Sequence, residues 1–141
     1  GAAPGNDRAA GDSRVIACLL DDSSVLALGK GYPALSGFVV DAAAGRAVLS
    51  VPALCLCAAE AERPGIAEHL GMLPVDIEPL ELSAAMSAGR LIGGGVDWRI
   101  AQAVAAALPS AVHPDGRVVL SVQTARYQGT GIEPIDPGLA S

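Results

Sequence analysis

Residues 15–20 (VIACLL) form an uninterrupted apolar run, which constrains the fold more than any other part of the sequence. A strand without polar alternation is typical of the centre of a parallel sheet, where both faces are covered. Parallel strands are joined by crossover connections, which are usually helices. The run therefore predicts a chain in which strands alternate with helices.

Apolar runs and helical periodicities do alternate along the rest of the sequence. Together they predict an α/β fold, a three-layer α/β/α sandwich around a central, mostly parallel sheet. The predicted strands are 15–20, 47–51, 75–80 and 117–122, with a short fifth strand at 132–135. The predicted helices are 33–44, 52–62, 64–70, 83–91 and 97–108.

The 141 residues are expected to form one domain, at residues 15–136. Hydrophobic residues make up 51% of the chain and charged residues 17%, which favours a compact globule over disorder. Residues 1–14 are small, polar and glycine-rich and are interpreted as a flexible N-terminal tail, and residues 137–141 as a short C-terminal tail. No apolar run reaches the ~18 residues of a membrane helix, and no signal-peptide pattern is present, so a cytoplasmic location is expected.

Cysteine usage agrees with a reducing compartment. Cys18, Cys55 and Cys57 lie inside apolar runs and form no pair of CxxC motifs. They are interpreted as buried free thiols rather than as zinc ligands.

The charge balance argues against a broad nucleic-acid-binding surface. The formal net charge is -6, and the nine basic residues are scattered along the chain. Binding to phosphates needs clustered Lys and Arg, and stacking on bases needs aromatic side chains, which make up only 3% here. No DNA partner is expected, and a polyanionic substrate would need a local site or a partner protein.

Three acids fall where a parallel sheet collects functional groups, at the carboxyl ends of its strands. Asp22 follows the first strand, Glu60 lies on the helix after the second, and Asp97 begins the helix before the fourth. Each also has a purely structural interpretation: residues 21–24 as a turn and helix N-cap, Glu60 as a solvated helix acid, and Asp97 as an N-cap after the glycines at 93–95. If the three converge, a hard cation such as Mg²⁺ or Mn²⁺ is the natural occupant.

At these segments the sequence resembles PIN domains, the metal-dependent ribonuclease fold of many bacterial VapC-type toxins. The resemblance covers most of residues 15–136 and rests on the order and spacing of four short motifs. These are DSSVL at 22–26, VPALCL at 51–56 before an acidic helix, DWRIAQAV at 97–104, and RVVLS at 117–121 with Tyr127 downstream.

The resemblance implies a metal-dependent endoribonuclease, the toxin of a toxin–antitoxin pair, that hydrolyses RNA phosphodiesters with Mg²⁺ or Mn²⁺. Asp22, Glu60 and Asp97 match the family's acidic metal-binding positions, with Glu62 an open alternative to Glu60. Ser24 matches a hydroxyl residue that orders the site. The implied partners are an RNA substrate, an antitoxin protein and a second copy of the chain. The apolar residues of 33–44 and 83–91 could form a groove for either protein, although core packing is expected for most of them.

Gln123 departs from the family pattern. The family often places a further aspartate just after the last long strand, whereas glutamine offers a carbonyl oxygen and no charge. The site would then depend on one ion or have lost its activity. A degenerate PIN-like domain that acts as a protein-binding, RNA-binding or regulatory module is therefore the alternative function. Asp21, beside Asp22, is expected to be a solvated turn residue.

Two other site classes fit the sequence less well. A phosphorelay receiver would need an aspartate at the end of its third strand and a lysine on its last, but the third strand here ends Pro79-Leu80-Glu81 and the only lysine is Lys30. A P-loop would need a further glycine five residues before Gly29 and a Ser or Thr after Lys30, but those positions hold Ser24 and Gly31.

Overall fold

The computed structural model describes residues 15–139, which form four strands and six helices. The tail predicted at 1–14 lies outside the described residues, as do the last two residues of the tail predicted at 137–141. In chain order the elements are β1 Ile16–Leu20, α1 Asp22–Gly29, α2 Pro33–Ala43, β2 Ala47–Pro52, α3 Ala53–Glu62, α4 Ile66–Leu70, β3 Val75–Glu78, α5 Leu82–Gly93, α6 Trp98–Ala107 and β4 Val118–Leu120, followed by a 3-10 helix at Thr124–Tyr127.

The four strands form one all-parallel sheet in the order β3-β2-β1-β4. The apolar strand β1 lies inside the sheet, with Cys18 opposite Leu49 of β2 on one side and Val118 of β4 on the other. The predicted α/β architecture with a parallel sheet is therefore confirmed. Since all strands run the same way, their carboxyl ends meet at one edge of the sheet.

Helices cover both faces of the sheet. Successive side chains of β1 point to opposite faces, so they pack against different helices. Cys18 and Leu20 pack into a core with apolar residues of α1 to α4. Leu19 lies in a second core, together with Ile100 of α6 and Tyr127 of the 3-10 helix. These two cores separate the three layers of the sandwich.

The fifth strand expected at 132–135 is reduced to a single parallel bridge between Ile135 and Leu120. The backbone N–H of Ile135 donates to the carbonyl oxygen of Val119, and that of Ser121 donates to the carbonyl oxygen of Ile135. Pro134 has no N–H to extend this ladder. The segment after β4 therefore touches the sheet at one point and is otherwise irregular.

The cysteine prediction was right for two positions and wrong for one. Cys18 and Cys55 are buried free thiols, whereas Cys57 is exposed. Cys57 lies two residues after Cys55 on α3, and a shift of two helical positions moves a side chain to the opposite face of the helix. Within residues 15–139, none of the helices is long and apolar enough to cross a membrane.

Candidate functional site at the carboxyl edge of the sheet

Asp21 lies at the end of β1 and is the N-cap of α1. Its Oδ1 accepts hydrogen bonds from the backbone N–H of Ser24 at 3.0 Å and from the hydroxyl of Ser23 at 2.6 Å. The expected N-cap at 21–24 is therefore present. The expectation that Asp21 is solvated is wrong, because its relative exposure is 0%.

Two residues of the 3-10 helix cover Asp21 from the C-terminal part of the chain. Its Oδ2 accepts from the hydroxyl of Tyr127 at 2.8 Å and from Nη2 of Arg126 at 3.1 Å. Burial and the charge of Asp21 raise the pKa of the Tyr127 hydroxyl far above its usual range. The hydroxyl therefore stays protonated and acts as a hydrogen-bond donor.

The guanidinium of Arg126 bridges the two adjacent aspartates. Nη2 donates to Oδ1 of Asp22 at 2.7 Å as well as to Asp21, and Nη1 lies 3.3 Å from Oδ2 of Asp22. Burial alone would lower the pKa of Arg126, but its hydrogen bond to Asp22 and the charges of both aspartates raise it overall. Its Nε is buried and has no hydrogen-bond partner among the described residues. A permanently charged side chain is thus held against both carboxylates.

Three buried serines join the ends of β1 and β4 beneath the aspartates. The hydroxyl of Ser24 donates to the carbonyl oxygen of Leu120 at 2.6 Å. The hydroxyl of Ser23 lies 3.3 Å from that of Ser121 and accepts from the backbone N–H of Val122 at 3.1 Å. The hydroxyl of Ser24 therefore links the first turn of α1 to the end of β4.

Asp97 lies at the same edge and has its own arginine. It is the N-cap of α6, where its Oδ1 accepts from the backbone N–H of Arg99 at 3.0 Å, and its Oδ2 pairs with Nη2 of Arg99 at 2.6 Å. The Arg99 hydrogen bonds lower the pKa of the Asp97 carboxyl, and the charge of Arg126 lowers it further. Asp97 and Arg126 line one cavity of about 340 Å³ with Gly95 and Thr130.

Glu60 lies elsewhere, two turns beyond the start of α3. Its two carboxylate oxygens accept from the backbone N–H groups of Gly65 at 2.8 Å and Ala67 at 3.0 Å, so it caps the start of α4. Those hydrogen bonds lower the pKa of the Glu60 carboxyl. The alternative, Glu62, is exposed. Glu60 is thus not brought to Asp22 and Asp97, and within residues 15–139 no group of three or more His, Cys, Asp and Glu side chains is arranged to hold a metal ion.

Helix α3 instead brings the thiol of Cys55 to the aspartates. Cys55 is buried, and its Sγ donates to the carbonyl oxygen of Arg99 at 3.2 Å. Burial, followed by the charges of Asp21 and Asp22, raises the pKa of this thiol well above its usual value. Helix α3 therefore supplies a neutral, protonated thiol at the aspartates, whereas a carboxylate was expected from this helix at Glu60.

Gln123 begins the 3-10 helix and is exposed. Its backbone N–H donates to the hydroxyl of Ser121 at 3.0 Å. A different glutamine, Gln102, is buried in α6, where it accepts from Leu54 and donates to the carbonyl oxygens of Glu78 and Pro79. Gln102 fastens α6 to the first turn of α3 and to the end of β3.

Arg126 was not predicted as a member of the site. In the sequence it is one of several scattered basic residues, although Asp21 and Asp22 at the end of a buried strand require a nearby cation. That requirement was the available signal. It does not identify which of the nine basic residues supplies the charge.

The arrangement does not fit a divalent ion. Mg²⁺ and Mn²⁺ bind through free carboxylate oxygens and waters. All four carboxylate oxygens of Asp21 and Asp22 accept hydrogen bonds from protein donors, and a guanidinium lies between them.

The sequence matches no protein-family model and no curated protein at a significant level. The functional proposal therefore depends on this site.

Proposed function

We propose that this chain is a PIN-like domain that has lost RNA hydrolysis and serves as a protein-binding module. The observation that carries the proposal is the bridge from Arg126 to Asp21 and Asp22. Hydrolysis of a phosphodiester at such a site uses a cation to activate water and to stabilise the charge on the phosphoryl oxygens. A guanidinium cannot ionise a bound water as a divalent ion does, so the bridge favours a site that binds without cleaving.

The distribution of positive charge favours a protein partner over RNA. Four arginines of the described chain are already paired with carboxylates, and the formal net charge is -6. Paired arginines contribute little to phosphate neutralisation, which supplies most of the affinity for RNA. The four are Arg46, Arg99, Arg117 and Arg126.

Helix α5 offers a contact surface for such a partner. Leu82 is 77% exposed and Met86 is 48% exposed, and a spacing of four places them on one face of the helix. Only Ala88 of this helix is buried. An exposed apolar helix face is typical of a protein contact, and the expected partner is a second copy of this chain, with an antitoxin-type protein as the alternative.

A cleavage assay tests the loss of hydrolysis. Purified wild type is incubated with single-stranded RNA and MnCl₂ or MgCl₂, beside the double variant Asp22→Asn/Asp97→Asn. We expect equal, background-level cleavage from both proteins. Metal-dependent cleavage by the wild type that the double variant lacks would contradict the proposal.

Sedimentation velocity tests the binding function. We expect the wild type to self-associate and Leu82→Glu to be monomeric, because a charge on the α5 face opposes burial. The matched control is Val112→Glu, which changes an equally exposed residue outside this helix. A monomeric wild type would contradict the expected partner.

RNA hydrolysis with Mg²⁺ or Mn²⁺ is the second candidate function, favoured by one observation. Asp22 and Asp97 both lie within the electrostatic range of Arg126, at the same edge of the sheet. If Arg126 moved away, Asp22 would lose the guanidinium that pairs with it and would lie at the same edge as Asp97, which would stay paired with Arg99. The cleavage assay separates the two candidates.

A further inference from the structure

We infer that Arg126 is the resident cation of the acidic site, and that the 3-10 helix Thr124–Tyr127 holds it there as an internal block against divalent ions. The inference deepens the proposed function and rests on it, since it names the residue that keeps the site from loading a metal. The fold brings the carboxylates of Asp21 and Asp22 together, but the guanidinium between them leaves no space for an ion.

The guanidinium occupies the space in which a shared ion would bind. One nitrogen, Nη2, contacts Asp21 at 3.1 Å and Asp22 at 2.7 Å, so it lies between the two carboxylates. The other terminal nitrogen contacts the second oxygen of Asp22. Any ion that bridged these carboxylates would have to displace Arg126.

The other hydrogen-bond donors around Asp21 compensate its negative charge without a metal ion. Oδ1 of Asp21 faces the first turn of α1, where the backbone N–H of Ser24 and the hydroxyl of Ser23 donate to it. A helix N-terminus favours negative charge at this position. The Tyr127 hydroxyl supplies a further donor to Oδ2 of Asp21.

Arg126 is held in position by the contacts of the next residue, Tyr127. Tyr127 is buried in the second core, and the hydroxyl of Thr130 donates to its carbonyl oxygen at 2.6 Å. Nearby, Ile135 bridges to β4. The segment that carries Arg126 is therefore attached to the sheet on the C-terminal side of the arginine, which keeps the guanidinium over the aspartates.

Replacement of the arginine tests the inference, with MnCl₂ alone as the probe. Arg126→Gln removes the charge and keeps an amide donor, and Arg126→Lys keeps a positive charge. Arg46→Gln is the matched control, since Arg46 pairs with Asp41 at the surface. Binding is measured by isothermal titration calorimetry, and Tm is measured with and without MnCl₂.

We expect the wild type, Arg126→Lys and Arg46→Gln to bind Mn²⁺ weakly and to keep the same Tm when it is added. Arg126→Gln should unfold at a lower temperature without the ion, recover Tm with it, and bind Mn²⁺ at least tenfold more tightly than the wild type. Adding Asp22→Asn to Arg126→Gln should remove the recovery.

Two results overturn the inference: a wild type that binds Mn²⁺ as tightly as Arg126→Gln, or an Arg126→Gln that folds and gains no affinity. If Arg126→Gln does not fold, the wild type decides, because Mn²⁺ binding that Asp22→Asn abolishes also overturns it. A wild type that excludes Mn²⁺ but does not self-associate refutes the proposed binding function and leaves the role of Arg126 intact.

Discussion

Asp21 is a buried acid whose surroundings supply a complete set of hydrogen-bond donors. Four groups donate to its two oxygens, and three of these are side chains from two separate parts of the chain: Ser23, Arg126 and Tyr127. An acid taken out of water is tolerated only when its charge is paired and hydrogen-bonded. Asp21 thus links the first strand, the first helix and the C-terminal segment.

Asp21→Asn is expected to destabilise the protein by about 3 kcal/mol, because it removes one partner of a buried ion pair. Asparagine still caps a helix, so the loss of stability falls at the lower end of that class. The measurement is the free energy of unfolding in urea at pH 7. The control is Asp41→Asn in the exposed pair with Arg46, which should cost less than about 1 kcal/mol. A loss below 1 kcal/mol for Asp21→Asn would contradict the central role of the residue.

The rule that functional groups collect at the carboxyl ends of parallel strands predicted the edge of the sheet at which Asp22 and Asp97 lie. It did not predict which other residues surround them. Asp22 and Asp97 lie at the expected edge because they follow or precede elements whose direction the apolar pattern sets. Glu60 was predicted for its charge, yet the α3 residue on which the charges of Asp21 and Asp22 act is Cys55. Arg126 pairs with Asp22 across a separation of 104 positions, and no local pattern encodes such a contact.

At the level of elements, apolar patterning predicted helix α6 closely, but it did not predict helix α1 beyond its N-cap, although five residues of that helix are buried. Helix α6 buries six residues, and its predicted range of 97–108 differs from the observed helix by one position at each end. Strand β4 is shorter than the predicted 117–122, since only 118–120 pair with β1. After that strand the chain follows side-chain contacts at Arg126 and Tyr127 instead of the sheet.

Helix α5 contains a glycine that the described chain does not require. A Cβ added to Gly89 would meet no atom within 4 Å, whereas one added to Gly29 of α1 would run into the side chains of Ile66 and Arg63. Glycine inside a helix is less favourable than alanine by roughly 0.5–1 kcal/mol. The two positions therefore form a matched pair, one open and one crowded.

Gly89→Ala is expected to stabilise the chain by about 0.5–1 kcal/mol, because alanine narrows the unfolded ensemble and fits the helix without a clash. Gly29→Ala should destabilise it, because the ends of the Arg63 side chain and of the buried Ile66 side chain would have to shift. Both are measured by urea unfolding at a protein concentration at which the chain is monomeric. A destabilising Gly89→Ala would contradict the open surroundings of this position in the structure.

Across the whole molecule, two ion pairs make folding sensitive to acid, and one of them joins distant segments of the chain. Arg117, just before β4, pairs with Glu78 at the end of β3, although the two strands lie at opposite edges of the sheet. The Arg117 hydrogen bond holds the pKa of the Glu78 carboxyl below its usual 4.5. The Arg99 hydrogen bond does the same for Asp97, whose usual pKa is 3.8.

Stability is expected to fall as the pH drops below about 4.5, and the sign follows from these depressed values. A carboxyl with a lower pKa in the folded state binds fewer protons there than in the unfolded state, so the free energy of unfolding rises with pH through that window. The stabilisation is present above the unfolded pKa and is lost as the pH falls through the folded one. Urea unfolding between pH 6 and pH 3 measures it.

Arg117→Met should flatten this acid dependence, since it removes the group that lowers the pKa of Glu78. The variant should be less stable than the wild type at pH 6, and the difference should shrink toward pH 3 as Glu78 becomes protonated. Arg46→Met controls for the loss of an exposed arginine. An equal difference at both pH values would mean that Arg117 stabilises the fold by packing and by its hydrogen bond to the carbonyl oxygen of Ala106 rather than through the charge of Glu78.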